Sequence, residues 1–381
     1  MERPIFQPVG TPVEELDTPA LVVDLDVMEA NIARFHASLE GSSGGSGLKV
    51  RPHVSTHQCP HIAHLQVAAA NPADGIAVNT VGEAEVFAGA GFADILISSP
   101  IAGRPKIARL SALAASHHIA VAVDNAENVT ALSDAVTAAG ATLGILVEVD
   151  AGSGGSGVAM GPDAAALAAK VSGAAGLRLD GLMASLPDRA NHRRGHDGSS
   201  GPSIGSEDDS NVRLQGLMDT SRLLEQQGAS APVVSVAASG NQAIAGAQGI
   251  TEIQAASYAL MDYAHCQSQP EYQPAAKILA SVISHPTEGS AVVDAGHKAT
   301  GPDLGLPVLE GQDGAKAVRF SAEHGVLELE ESAYSRFMPG RKVWLVPFDL
   351  ELSLNQYDYI RAVRKGKLEG FWPIAARGRF A

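Results

Sequence analysis

The 381-residue sequence is poor in aromatics, in cysteine and in positive charge. Aromatic residues make up 4% of a chain that is 45% hydrophobic, so its core must be built from aliphatic side chains and alanine. That composition favours helices packed tightly on a sheet over an aromatic-rich β-sandwich. Two cysteines, Cys59 and Cys266, cannot make a disulfide framework, and a reducing compartment is expected. Lys and Arg number 27 against 42 Asp and Glu, giving a net charge of −15. Nucleic acid and anionic membrane are read through basic patches, so neither is an expected partner. No apolar run approaches the ~18 residues of a membrane span. The opening MERPIFQPVGTPVEELDTPA lacks the basic-then-apolar layout of a leader. A cytoplasmic protein acting on a small molecule is expected.

What the chain does have is a long alternation of strand and helix signals. ALVVDLD (20–26) reads as a buried strand, and Val27, Ile32, Phe35 and Leu39 follow at near-helical spacing. GIAVNT (75–80), ADILISS (93–99), HIAVAVD (118–124), TLGILVEVD (142–150), LRLDGLMAS (177–185), VVSVAAS (233–239) and ITEIQAASYALMD (250–262) are further strand-like runs. Most are followed by a helical pattern, and Asn125 is placed to cap one of these helices. Seven or eight such units predict an α/β fold, a parallel (β/α)8 TIM-like barrel. A doubly wound open sheet is the runner-up.

After about residue 275 the texture changes to short strands joined by turns, which predicts an all-β domain over 275–381. The barrel is then expected over 21–274, with 1–20 as an N-terminal arm packing on the β domain. Residues 186–212 are polar, Gly/Ser-rich and aperiodic, and read as a loop that is either a lid over the barrel or an insertion without function.

One stretch carries candidate chemistry. In 48-LKVRPHVSTHQCP-60, Lys49, Arg51, His53, Ser55 and His57 occupy every second residue. In a strand all five would share a face. A row of titratable groups is tolerated inside a barrel mouth better than under the helices of an open sheet. His53 and His57 are candidate acid–base groups, since imidazole is easily tuned near neutral pH. Arg51, Ser55 and Asp150 join them as catalytic candidates. The plainer reading is that Arg51, His53 and Asp150 form a buried polar network that holds the barrel together.

Eight segments together resemble the D-threonine aldolase and D-serine dehydratase family. They are TPALVVDLD (18–26), RPHVSTHQCP (51–60), TVGEAEVFAGAGFADIL (80–96), LVEVDAG (146–152), ITEIQAASYALMD (250–262), VDAGHKA (293–299), EHG (323–325) and VWLVP (343–347). The resemblance implies an alanine-racemase-type N-terminal barrel with a C-terminal β domain, pyridoxal phosphate as cofactor, lyase activity and a homodimer. Fold-level likeness is weaker evidence for chemistry than for ancestry.

The resemblance also marks departures. Relatives read Arg-Pro-His-x-Lys-Thr-His-Lys, the first lysine forming an imine with the cofactor. This chain has Ser55 there and Gln58 at the second lysine. A hydroxyl cannot form an imine. An arginine expected in 152-GSGGSGVAMGP-162 is missing, and Ser185 stands in place of a tyrosine. The phosphate-cradling loop is replaced by 237-AASGNQAIAG-246, where Ser239, Gly240 and Asn241 remain candidates for an anion nest. In 347-PFDLELSLN-355, Asp349 and Glu351 fall at the family's metal-binding His and Asp. Two carboxylates suit Mg2+, Mn2+ or Ca2+ rather than zinc.

Three classes of function follow. One is an enzyme that works without pyridoxal phosphate, a lyase, epimerase or hydrolase acting by acid–base chemistry on a small polar amino or hydroxy acid, with a metal assisting. Another binds a metabolite or protein without catalysis. A third holds pyridoxal phosphate non-covalently or through a displaced lysine, for which Lys49 is about 20 Å too far along an extended strand.

Overall fold

A computed structural model of the chain describes residues 7–42, 48–70, 75–152, 155–186, 207–237, 248–301 and 304–381. The first strand, β1 (Ala20–Asp24), leads into helix α1 (Leu25–Ser42). Eight strands then alternate with helices: β2 (Lys49–Pro52), α2 (Pro60–Ala69), β3 (Ile76–Val78), α3 (Val81–Gly89), β4 (Asp94–Ile97), α4 (Arg104–Ala114), β5 (His118–Val123), α5 (Ala126–Ala138), β6 (Leu143–Val149), α6 (Pro162–Ser172), β7 (Leu177–Ser185), α7 (Glu207–Gln226), β8 (Val233–Ala237) and β9 (Glu252–Ala255). β2 to β9 form a parallel sheet in the order β2-β9-β8-β7-β6-β5-β4-β3. The ring is closed between β2 and β3 by a parallel bridge from His53 to Ala77, with the Val54 amide donating to Ala77 O at 2.9 Å. The fold is the α/β barrel with a mostly-β C-terminal part expected from the sequence.

Side-chain alternation builds two cores from the same strands. Ile95, Ile97, Val121, Val123, Ile145 and Val147 face the helices and join the main core. Ala77, Leu96, Ala120, Ala122, Leu146 and Met183 face inward and form a separate cluster inside the ring. The helices start where the sequence supplies caps. Asn125 Oδ1 accepts from the amides of Glu127 (2.7 Å) and Asn128 (3.1 Å), and Thr80 with Glu83 makes a reciprocal capping box on α3.

The second sheet holds β10 (Ala276–Thr287), β11 (Ser290–Val293), β12 (Val308–Leu309), β13 (Ala315–Phe320), β14 (Gly325–Leu329), β15 (Lys342–Val346), β16 (Tyr359–Arg364) and β17 (Lys367–Pro373). Short helices α8 (Tyr263–Ser268), α9 (His297–Thr300) and α10 (Leu350–Leu354) interrupt this region. β1 belongs here too. It pairs antiparallel with β10 and parallel with β16, so the strand at 20–24, read from the sequence as part of the 21–274 barrel, lies in the second sheet. An apolar run signals burial but not which sheet takes it. Residues 207–212, read as loop, open the 20-residue helix α7. The rest of the 186–212 segment after Leu186 lies outside the described residues. Among the described residues no helix is long and apolar enough to cross a membrane.

Candidate active site

The strand ends of a parallel barrel converge on one mouth, and loops there carry chemistry. β2 delivers only part of the row expected on its face. It ends at Pro52, and Val54–His57 form a turn in which the His57 and Gln58 amides both donate to Val54 O. His53 and Ser55 turn toward the mouth. His57 does not: it is 0% exposed, its Nε2 bonds Gln66 Oε1 on α2 at 2.9 Å, and its Nδ1 accepts from the Cys59 amide at 3.0 Å. The accepting Nδ1 fixes the proton on Nε2. Burial pushes this imidazole from 6.5 down to about 4. Both nitrogens are committed to anchoring the turn and the start of α2. The continuous five-residue face is therefore corrected: the extended backbone stops before Ser55, and Lys49 lies exposed at the opposite end of β2.

Arg51 points into the ring below the mouth. Its Nε donates to Glu252 Oε2 at 2.9 Å and its Nη1 to Asp94 Oδ1 at 3.0 Å. Burial opposes the charge, but Glu252 and Asp94 outweigh it and raise the guanidinium pKa. Ser235 donates to Glu252 Oε1 at 2.7 Å, and Gln254 Nε2 donates to Ser235 Oγ at 3.0 Å. Arg51 thus ties β2 to β4 and β9 across the seam. Asp150 takes no part in this network. It is exposed at the end of β6, where its Oδ1 accepts from the Gly152 amide at 2.6 Å. Arg213 of α7 reaches the same loop and donates to Ala151 O at 2.6 Å. Gly152, with φ +81°, carries no side chain where that guanidinium lies.

The mouth's central feature links the two sheets. Ser55 Oγ donates to Glu351 Oε1 of α10 at 2.9 Å and lies 3.0 Å from His53 Nδ1. Thr56 Oγ1 donates to the same Glu351 oxygen at 3.2 Å. The Ser55 amide also donates to His53 Nδ1 (3.3 Å), so this nitrogen is the acceptor and Nε2 carries the proton. Nε2 then donates to Ser98 Oγ at 2.8 Å, and the Ser98 hydroxyl donates to Val78 O at 3.1 Å. Burial lowers His53 from 6.5 to about 4, so the ring is neutral near pH 7. Desolvation raises the Glu351 carboxyl above its ordinary value, against the pull of the Ser55 hydroxyl, and Asp349 adds to the rise. Burial also raises Asp349, whose Oδ1 caps α10 by accepting from the Leu352 amide at 3.1 Å.

Three contacts hold α10 in place. Asp262 Oδ2 accepts from the Leu350 amide at 3.3 Å, while its Oδ1 takes the His265 ring at 2.7 Å. Ser353 Oγ donates to Thr300 O at 2.7 Å, and Asn355 Oδ1 accepts from the Gly378 amide at 3.0 Å. Ser98 was not singled out by sequence reasoning. Its signal was a polar residue ending the apolar run ILIS.

Among the described residues no group of three or more His, Cys, Asp or Glu side chains is arranged to hold a metal ion. Ser239, Gly240 and Asn241 lie outside the described residues. For an imine-anchored cofactor the test is the lysines, nine in all. Lys49 is at the far end of β2, and Lys106 and Lys170 are on the outer helices α4 and α6. Lys277 pairs with Glu310, Lys298 with Glu323 and Lys316 with Glu328, and Lys342 donates to Leu16 O. Lys365 and Lys367 lie at the turn joining β16 and β17. Ser55 stands where the sequence resemblance expects a lysine, so the end of β2 presents a hydroxyl rather than an amine to the mouth.

Comparison with known proteins places this architecture. Residues 23–254 match the alanine racemase N-terminal domain family, and residues 275–363 match the serine dehydratase domain family. The chain therefore belongs to the alanine-racemase-fold family with a serine dehydratase domain, within the group that contains D-threonine aldolase. The D-threonine aldolase of an Arthrobacter species is 33% identical over 383 residues, spanning 98% of this chain and 96% of that one. The 3-hydroxy-D-aspartate aldolase of Paracoccus denitrificans is 32% identical, spanning 97% and 94%. The crystal structure of D-threonine aldolase from Filomicrobium marinum matches with a TM-score of 0.86 at 33% identity, over 98% of this chain and 100% of that one. These relatives are lyase-type enzymes by name.

Proposed function

We propose that the mouth is an acid–base site for lyase-type chemistry on a small 3-hydroxy amino or hydroxy acid, working without an imine to the protein. The observation that carries this reading is the chain Glu351–Ser55–His53, at 2.9 and 3.0 Å, in the barrel mouth. The substrate class follows the relatives' names, which share a 3-hydroxy amino acid. Cleaving the Cα–Cβ bond needs a base for the 3-hydroxyl proton and a proton for the electron pair left on Cα, and expelling the hydroxyl as water needs a base for the Cα proton and an acid for the leaving oxygen. One chain serves both needs in opposite directions. Glu351 gives or takes the proton, the Ser55 hydroxyl passes it, and His53 Nδ1 receives it while Ser98 fixes the ring's tautomer.

Asp150, exposed at the end of β6, is the group offered to the substrate ammonium. His57 positions the turn rather than touching substrate. Asp349 with Glu351 as a site for Mg2+, Mn2+ or Ca2+, and a homodimer, complete the proposal.

The test is turnover of D-threonine and 3-hydroxyaspartate isomers by protein freed of pyridoxal phosphate, following aldehyde or keto-acid release. The expected result is turnover without added cofactor that falls at least about 100-fold in Ser55→Ala and in Glu351→Gln. Turnover that appears only on adding pyridoxal phosphate, or that Ser55→Ala leaves intact, overturns the reading.

A further inference from the structure

We infer that Ser55 is a nucleophile, and that the mouth transfers acyl groups from small esters that carry an ammonium group. Four observations meet at this residue. Ser55 sits in the turn between a parallel strand, β2, and the helix that follows it, α2, which lifts its hydroxyl to the strand end of the barrel. The same strand–turn–helix placement presents nucleophiles in unrelated parallel-sheet hydrolases. Its Oγ proton has two acceptors, Glu351 Oε1 at 2.9 Å and His53 Nδ1 at 3.0 Å. The base is itself oriented, because His53 Nε2 bonds Ser98 Oγ at 2.8 Å and Ser98 bonds Val78 O at 3.1 Å. Nucleophile, base and orienting group are thus in hydrogen-bond sequence.

The fourth observation concerns where negative charge develops. The Thr56 amide, on the residue after the nucleophile, donates to no acceptor among the described residues. An N–H at that position is the usual donor to a tetrahedral oxyanion. Burial keeps the His53 ring neutral near pH 7, so its Nδ1 lone pair is present under ordinary conditions.

The chemistry balances without any external oxidant or reductant. Ser55 Oγ attacks the ester carbonyl carbon, and its proton passes to the Glu351 carboxylate or to His53 Nδ1. The oxyanion faces the Thr56 amide. The carbonyl C–O bond to the alcohol then breaks, and the departing alkoxide takes the proton. Water attacks the acyl-Ser55 ester, delivers its proton to the same base, and releases the acid with Ser55 restored. The charges beside Ser55 set the substrate. Glu351 is its acidic neighbour, at 2.9 Å, and none of the nine lysines is there. An acyl group that places a carboxylate beside Glu351 is disfavoured, whereas one that places an ammonium there is favoured.

The test uses the full chain and two probes. A fluorophosphonate is incubated with the protein, followed by intact mass and peptide mapping. Release of p-nitrophenol is compared for glycine p-nitrophenyl ester and mono-p-nitrophenyl succinate. The expected result is a single phosphonyl group on Ser55, no label in a Ser55→Ala variant that still unfolds in one cooperative transition, and labelling at least about tenfold slower in Glu351→Gln. The glycyl ester is expected to react at least about tenfold faster than the succinyl ester, by charge alone. No label on the folded wild type, label on another residue, or label that survives Ser55→Ala overturns the inference. A preference for the succinyl ester overturns its substrate class. Neither probe contains a 3-hydroxy acid, so failure of lyase turnover and failure of this inference are read separately.

Discussion

Ser55 and Glu351 are 296 residues apart in sequence, and their side chains meet at 2.9 Å where the barrel faces the β domain. The hydroxyl donates and the carboxylate accepts, so the bond favours the ionised acid while desolvation favours the neutral one. Desolvation wins, and the folded carboxyl is raised. Its contribution to stability is therefore full below the ordinary carboxylate range and is lost as pH rises through the raised value. Glu351→Gln abolishes this dependence. Melting temperatures from pH 4 to 8 are expected to show the variant gaining on the wild type as pH rises, and Ser55→Ala shifting the wild-type decline to higher pH.

His57 has the opposite sign. Its ring is held neutral, from 6.5 down to about 4, by burial. The stability it contributes is complete above pH 6.5 and drains as pH falls toward 4, a span worth roughly 3 kcal/mol. His57→Leu leaves Gln66 and the Cys59 amide without their partner and is expected to cost about 1–3 kcal/mol at pH 7. Its urea-unfolding free energy should fall less steeply than that of wild type between pH 6.5 and 4.

Arg51 is a buried link, with its side chain 12% exposed and that of Glu252 3% exposed. Arg51→Met leaves an unpaired buried carboxylate and is expected to cost about 3–5 kcal/mol. Adding Glu252→Gln should recover part of that loss, as measured by denaturant unfolding of the single and double variants.

Asp349 and Glu351 offer two carboxylates for a divalent ion, but one Asp349 oxygen caps α10 and one Glu351 oxygen accepts two hydroxyls. Calorimetric titration with Mg2+, Mn2+ and Ca2+ is expected to give dissociation constants in roughly the millimolar range typical of sparsely liganded hard ions. Micromolar binding abolished by Glu351→Gln would show a complete site.

The barrel was legible because strands such as HIAVAV and LGILVEV are buried, apolar and followed by capped helices such as the one at Asn125. The placement of β1 was not, because Ala20–Asp24 carries the same local pattern as a barrel strand while its partners, Leu279 and Arg361 among them, lie far along the chain. The site was half legible. His53 and Ser55 stood out by residue type and spacing, and Glu351 through the family resemblance. That His57 turns into the core was hidden, because alternation holds only while backbone stays extended, and here it stops at Pro52. Ser98 and the Ser55–Glu351 bond depend on closure of the ring and on docking of α10, which no local pattern encodes.

The most direct measurement is the absorbance spectrum of the purified protein with pyridoxal phosphate added, followed by borohydride reduction and peptide mapping. The expected result is no aldimine band and no pyridoxyl group on any of the nine lysines. A single reduced pyridoxyl-lysine at one equivalent per chain would contradict a mouth that works through the Ser55 hydroxyl.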